Sequence, residues 1–282
     1  MGKIFIGSEA IAAGALSVYQ LRSRHQAVFP DVYMPRGVDP SLNDRILAAW
    51  LWSRRKAVIA GAAASALHGA RWVDADATIE LAAPNARPHR GLLVRNDTLG
   101  DDEVTVVKRL PVTSVARTAF DLGRHLPRGE ALARLDALMR ARPFSAEDVA
   151  VLAKRYCGAR GLRRLAEVLP LVDGGAASPK ETWLRLLLID AGLLRPTTQI
   201  PVDLGQRGIA YLDMGWEEYM VAAEYDGDQH FRDRWQYVKD IGRLARFAEL
   251  GWIVIRVVAE HRPDEIVARV RRALVSRGYP RD

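Results

Sequence analysis

The chain has 282 residues, enough for two or three domains, and its 49% hydrophobic and 27% charged residues describe a folded globular protein and exclude a disordered one. One cysteine, Cys157, excludes an intrachain disulfide and a cysteine-rich zinc site, which fits a reducing cytoplasm. The net charge of +7 favours a polyanion such as nucleic acid, while the N-terminus lacks a signal-peptide apolar stretch and the most apolar run, Ala57 to Leu67, is too short to span a membrane.

Residues 1–40 read as a small winged helix-turn-helix unit. Ser8 is placed to cap a short helix from Glu9 to Ala13, Gly14 ends it, and Ser17 caps a second helix running to about Arg24. The segment VFPDVYMPRG then alternates like a β-wing. The second helix carries Tyr19, Gln20, Arg22, Ser23 and Arg24, polar side chains suited to base edges or phosphates, and Arg36 lies in the wing. An ordinary polar helix face is the plainer reading of the same residues.

Residues 41–175 read as an α/β middle domain. Two helices are predicted around LNDRILAAWLWS and AVIAGAAASALHG, with His68 a core histidine near the end of the second. Strands follow at 77–82, 91–95 and 104–110. Thr113 or Ser114 then caps the helix TSVARTAFDLG, which Gly123 is expected to end. Helix continues through about residue 170. Almost all the surplus charge is here: from Lys108 to Gly175 there are 13 Lys/Arg against 7 Asp/Glu, whereas 41–107 and 178–282 balance at 8 against 8 and 16 against 16. A basic middle suits phosphate contacts, and a solvated arginine-rich surface explains it equally well. The run Val172-Asp-Gly-Gly-Ala-Ala-Ser-Pro is the best linker in the chain.

Residues 178–282 give the clearest order of elements. Ser178, Pro179 and Glu181 supply an N-cap, a first-turn proline and a capping-box glutamate for a helix that Gly192 ends. Strands are predicted at 197–204 and 208–214, with a third in YMVAAEYD. A helix through Val238, Ile241, Leu244 and Ala248 stops at Gly251, then comes the strand WIVIRVV and a last helix from about Pro263. The third strand, its helix and WIVIRVV form a βαβ crossover with parallel strands. Helix, three strands, helix, strand, helix is the order of the PD-(D/E)XK nuclease core, a mixed sheet flanked by helices. Asp213 ends one strand and Glu224 lies on the next, so a hairpin brings them side by side, as two ligands of a hard divalent metal require. Glu224 and Asp226 alternate around Tyr225 and share a strand face.

These residues, AEYDGDQH with Asp240, Arg243 and GWIVIRV after it, resemble the Vsr-like (very short patch repair-like) endonuclease domains of that superfamily, from Ser178 to about Leu274. The resemblance implies Mg²⁺ (or Mn²⁺) held by Asp213 and Glu224, support from Glu181, proton transfer or phosphate contact by His230, and a rim completed by Asp240 and Arg243. The superfamily signature has a lysine where this chain has Asp226, a residue that cannot stabilise the attacking hydroxide; Vsr-like domains commonly lack that lysine. The front half, IGSEAIAAGALSVYQLRSR to FPDVYMPRG with AVIAGAAASALHG, resembles bacterial AbiEi-type antitoxin and regulator proteins. This implies DNA binding through Ser17 to Arg24 and the wing, in a toxin–antitoxin or phage-defence setting.

The expectation is therefore a metal-dependent DNA endonuclease. The alternative is a DNA-binding regulator whose nuclease fold is catalytically inactive, and an RNA substrate satisfies the same residues. Each site residue also has a structural reading: Glu181 a capping box, Asp226 part of a turn, Asp240 and Arg243 a surface ion pair, His230 a loop histidine. Lys239, Arg243 and Arg246 share one helix face, which makes Arg243 the candidate for holding Asp226 or the scissile phosphate in place of the missing lysine.

Overall fold

The computed structural model describes residues 3–83, 89–205, 208–227 and 234–280, without the side chains of 234–241. Strand β1 (Phe5–Ile6) leads into α1 (Gly7–Ala12), and Gly14, at φ +68°, turns the chain toward α2 (Val18–Arg24). Ser17 closes α2 with a reciprocal capping box: its hydroxyl accepts from the Gln20 N–H at 3.1 Å, and the Gln20 side-chain oxygen accepts from the Ser17 N–H at 2.8 Å. Ser8 does not cap α1. The helix starts at Gly7, and the Ser8 hydroxyl donates to Asp31 at 2.5 Å. Strands β2 (His25–Phe29) and β3 (Val32–Pro35) pair antiparallel where the wing is expected, in a sheet ordered β1-β3-β2. Helix α3 (Leu42–Trp52) follows. Ile6, Phe29 and Met34 then share one hydrophobic cluster with Ile46, Ile59 and Val112, so the wing and the residues after it have a common core.

The apolar run after α3 is not one helix. Val58–Ala60 is strand β4, and α4 spans only Gly61–Leu67. The β-branched Val58 and Ile59 suit a strand buried between two others, and Gly61, at φ +57°, makes the turn into the helix. Strands β5 (Ile79–Ala82), β6 (Leu92–Arg95), β7 (Val104–Val107) and β8 (Leu110–Thr113) complete a sheet ordered β6-β5-β4-β8-β7. The single strand expected over 104–110 is thus a hairpin, turning at Lys108 and Arg109. Helices α5 (Val115–His125), α6 (Arg128–Ala141), α7 (Ala146–Arg155) and α8 (Leu162–Val168) pack around Phe120, Leu135, Leu152 and Leu165. Gly123 does not end α5. A Cβ there would lie 2.4 Å from Leu165 Cδ1, so this glycine lets α8 approach closely.

The second part contains α9 (Pro179–Asp190), β9 (Thr197–Asp203), β10 (Ile209–Trp216), β11 (Val221–Tyr225), α10 (Arg234–Glu249), β12 (Ile253–Val257) and α11 (Pro263–Ser276). Its sheet runs β12-β11-β10-β9, antiparallel except for the parallel β11–β12 pair, as a βαβ crossover requires. One face packs Leu184, Leu188, Met214, Ala223 and Ile266; the other packs Leu212, Ala222, Phe247 and Trp252. The chain is α/β and divides into two compact units, Met1–Val172 and Asp173–Asp282, the break falling within the predicted linker. Among the described residues no helix is long and apolar enough to cross a membrane.

Candidate active site

The hairpin of β10 and β11 builds the site. Its register pairs Met214 with Ala223, Gly215 with Ala222 and Trp216 with Val221. A Cβ on Gly215 would lie 2.4 Å from the Val221 carbonyl oxygen, so glycine permits the close approach of these strands. One residue beyond the Met214–Ala223 pair, Asp213 and Glu224 stand on adjoining strands. The half-buried Asp213 accepts the Tyr225 backbone N–H through Oδ2 at 2.9 Å, which ties it to the strand carrying Glu224.

Glu224 is 5% exposed. Arg243, from α10, grips it with two parallel hydrogen bonds, Nη1 to Oε1 at 3.0 Å and Nη2 to Oε2 at 3.1 Å, and its Nη1 also reaches the Tyr211 carbonyl at 3.4 Å. Burial nevertheless pushes the Glu224 carboxyl up to about 7; Arg243 opposes the rise and the neighbouring charge of Asp213 adds to it.

Arg243 therefore takes Glu224, not Asp226. The cation beside Asp226 is Arg256, which ion-pairs with Asp226 Oδ2. Arg256 lies on β12 directly across from Glu224 in the parallel register, and Asp226 donates its own N–H to the Val257 carbonyl at 2.8 Å. Arg256 is not among the residues expected at the site, although it is the lone charge in WIVIRVV and so carries a signal. Glu181 is 8% exposed and accepts from the Ala177 N–H at 2.8 Å, while its own N–H donates to Ser178 Oγ at 3.2 Å. This is a capping arrangement displaced by one residue from a regular box. His230 and the side chain of Asp240 lie outside the described residues.

Among the described residues no three His, Cys, Asp or Glu side chains converge as metal ligands. Two carboxylates suffice for Mg²⁺, which keeps waters and takes substrate phosphate oxygens as its remaining ligands. Asp213 and Glu224 fit that donor chemistry, and the raised Glu224 carboxyl is the kind of buried acid that a cation compensates. Coordination through both Glu224 oxygens requires Arg243 to release its grip.

In the first unit, three of the residues assigned to DNA serve the helix itself. Ser17 and Gln20 form the capping box, and the Ser23 hydroxyl donates to the Tyr19 carbonyl at 2.8 Å. Arg36 braces the wing on α2 through the Arg22 carbonyl at 2.8 Å. Tyr19, 80% exposed, and the exposed Arg22 and Arg24 project from α2.

No family model matches the chain. Over 244 residues it is 31% identical to the Mycobacterium tuberculosis proteins "Uncharacterized protein Rv2248" (strain H37Rv) and "Uncharacterized protein MT2308" (strain CDC 1551). The match spans 84% of this chain and 88% of each relative, so it takes in residues of both compact units.

Proposed function

The chain belongs to the family of these two mycobacterial proteins, and we propose that it is a metal-dependent DNA endonuclease: a Vsr-like domain after the linker hydrolyses phosphodiester bonds, and an AbiEi-like region before it holds DNA. The observation that carries this reading is the Asp213–Glu224 pair on adjoining strands, one carboxyl buried enough to be pushed up to about 7. Bound Mg²⁺ or Mn²⁺ would supply Lewis acidity to the scissile phosphate and lower the pKa of a bound water. Asp213 and Glu224 would hold the ion through carboxylate oxygens. Arg243, leaving Glu224, turns its fork to a phosphate oxygen and takes up the charge role of the absent lysine. Arg256 fixes Asp226 at the strand end. His230 is the candidate for removing the proton from the nucleophile.

A second reading rests on the same arginines. Arg243 on Glu224 and Arg256 on Asp226 already compensate these acids from within the chain, as suits a catalytically inactive binding module. Metal-dependent plasmid cleavage by the wild-type chain separates the two, and Arg243→Ala tests the part of this arginine in it. For an endonuclease, plasmid cleavage is expected to fall at least about tenfold, because a cation aimed at developing charge is lost, while duplex affinity changes little. Cleavage unchanged in that variant removes Arg243 from the mechanism.

DNA contact by α2 has its own expected result. The Arg22→Ala/Arg24→Ala double variant should weaken duplex binding uniformly across sequences and reduce the slope of log K against log salt by about 2, since each phosphate contact contributes about 0.9. Titration at several salt concentrations checks this, and an unchanged slope assigns those arginines to solvent.

A further inference from the structure

The first compact unit holds a cavity of about 500 Å³ beside the β7–β8 hairpin, away from α2 in sequence and untouched by the nuclease reading. Its charged lining is cationic: Lys108 from the hairpin tip and Arg142 just past α6, with no acid among the described lining residues. Leu67, Val106, Val107 and Val115 give it an apolar wall. Ser114 and Val115 bring the start of α5, an eleven-residue helix, to the cavity. A helix start leaves N–H groups without intrahelical partners, and the Ser114 hydroxyl takes only that of Arg117, at 3.3 Å.

The hairpin tip is independently unusual. Val107 pairs with Leu110, so Lys108 and Arg109 are the two loop residues, at φ +49° and +68°. That turn belongs to Asn-Gly or Gly-Gly sequences, and two long cationic side chains hold it under strain. Lys108 of this turn lines the cavity. His68 completes the set. Its Nε2–H donates to the Thr113 carbonyl at 2.8 Å, which leaves Nδ1 as an acceptor. Burial, with Arg142 nearby, lowers the His68 pKa against the opposing effect of the Thr113 hydrogen bond.

We infer that this cavity binds a nucleoside monophosphate, its phosphate held by the Lys108 and Arg142 cations, its base against the valine and leucine wall, and a hydroxyl or amine donating to His68. The volume lies within the range of ligand pockets, roughly 300–1,000 Å³. A hollow with one apolar wall takes a single small anion with a flat body; a duplex backbone is met by an extended basic surface.

The test is calorimetric titration of the full chain with AMP, GMP, CMP and UMP in turn. At least one should bind saturably at one site, and the corresponding nucleoside at least about tenfold more weakly, as loss of a charge-assisted contact implies. Lys108→Ala/Arg142→Ala, and Arg142→Gln alone, should each weaken binding by at least about tenfold with unchanged melting temperature, since both side chains are exposed. Arg163→Ala, at a basic residue 95% exposed on α8, should leave binding unchanged. Absence of saturable binding for all four at about 1 mM, or an equal loss in Arg163→Ala, overturns the site. Displacement of the nucleotide by a short DNA duplex whose own affinity depends on Lys108 and Arg142 also overturns it, in favour of a backbone phosphate.

Discussion

Replacing Arg117 by methionine is expected to destabilise the Met1–Val172 unit by about 3–5 kcal/mol, the cost of removing one partner from a buried ion pair. Arg117 lies on α5, 2% exposed. Its guanidinium donates to Asp121 at 2.9 Å, to Asp97 at 2.7 Å and to Glu103. Glu103 is 1% exposed and also accepts from the Tyr156 hydroxyl at 2.6 Å and from Arg155 at 2.8 Å. Arg124 bonds Asp97 at 2.7 Å and Asp121 at 3.0 Å. Even with both arginines beside it, burial holds the Asp121 carboxyl above the usual carboxylate range. Methionine keeps most of the volume, so the loss reports charge rather than a cavity. Urea unfolding followed by tryptophan fluorescence measures it, with Arg163→Ala expected within about 0.5 kcal/mol of wild type. A loss below about 1 kcal/mol for Arg117→Met would show that the acids reach water or other cations.

Glu224 is expected to make stability fall as pH rises through the weakly acidic range. Its carboxyl is at about 7 in the folded chain against 4.5 for the ordinary group, so the folded state binds this proton more tightly than the unfolded state does. The stabilisation is fully present below pH 4.5 and is lost as pH rises through 7. The difference corresponds to about 3 kcal/mol, at about 1.4 kcal/mol per pH unit. Glu224→Gln removes the titration while keeping the shape. Unfolding free energies measured from pH 4.5 to 8 should therefore converge at low pH and separate in favour of the glutamine variant above 7. Parallel curves would mean that the Arg243 fork holds Glu224 ionised throughout.

The order of elements after the linker was legible because it is written in local signals. Ser178 and Pro179 start α9, Gly251 ends α10, and β-branched runs mark the strands. The first unit was less legible for identifiable reasons. A short run of small apolar residues suits a buried strand or a helix equally, which hid β4. The Lys108-Arg109 turn carries none of the usual hairpin residues, which hid the β7–β8 corner. Gly123 reads as a helix stop, yet its role is contact with Leu165, which belongs to tertiary packing.

At the candidate site, strand alternation was enough to bring Asp213 beside Glu224. The choice of partner for each arginine depends on side-chain direction across a crossover, which spacing does not encode. Arg243 lies closer in sequence to both Glu224 and Asp226 and takes Glu224, and Arg256, more distant in sequence, reaches Asp226 because β12 pairs with β11.

Cleavage of supercoiled plasmid tests the central claim most directly. The wild-type chain with Mg²⁺ or Mn²⁺ is expected to nick or linearise the plasmid, to stop when the metal is chelated, and to slow at least about 100-fold in Asp213→Ala with duplex binding retained. Equal rates for wild type and Asp213→Ala, or no metal-dependent cleavage by wild type where it binds the duplex, would contradict the account.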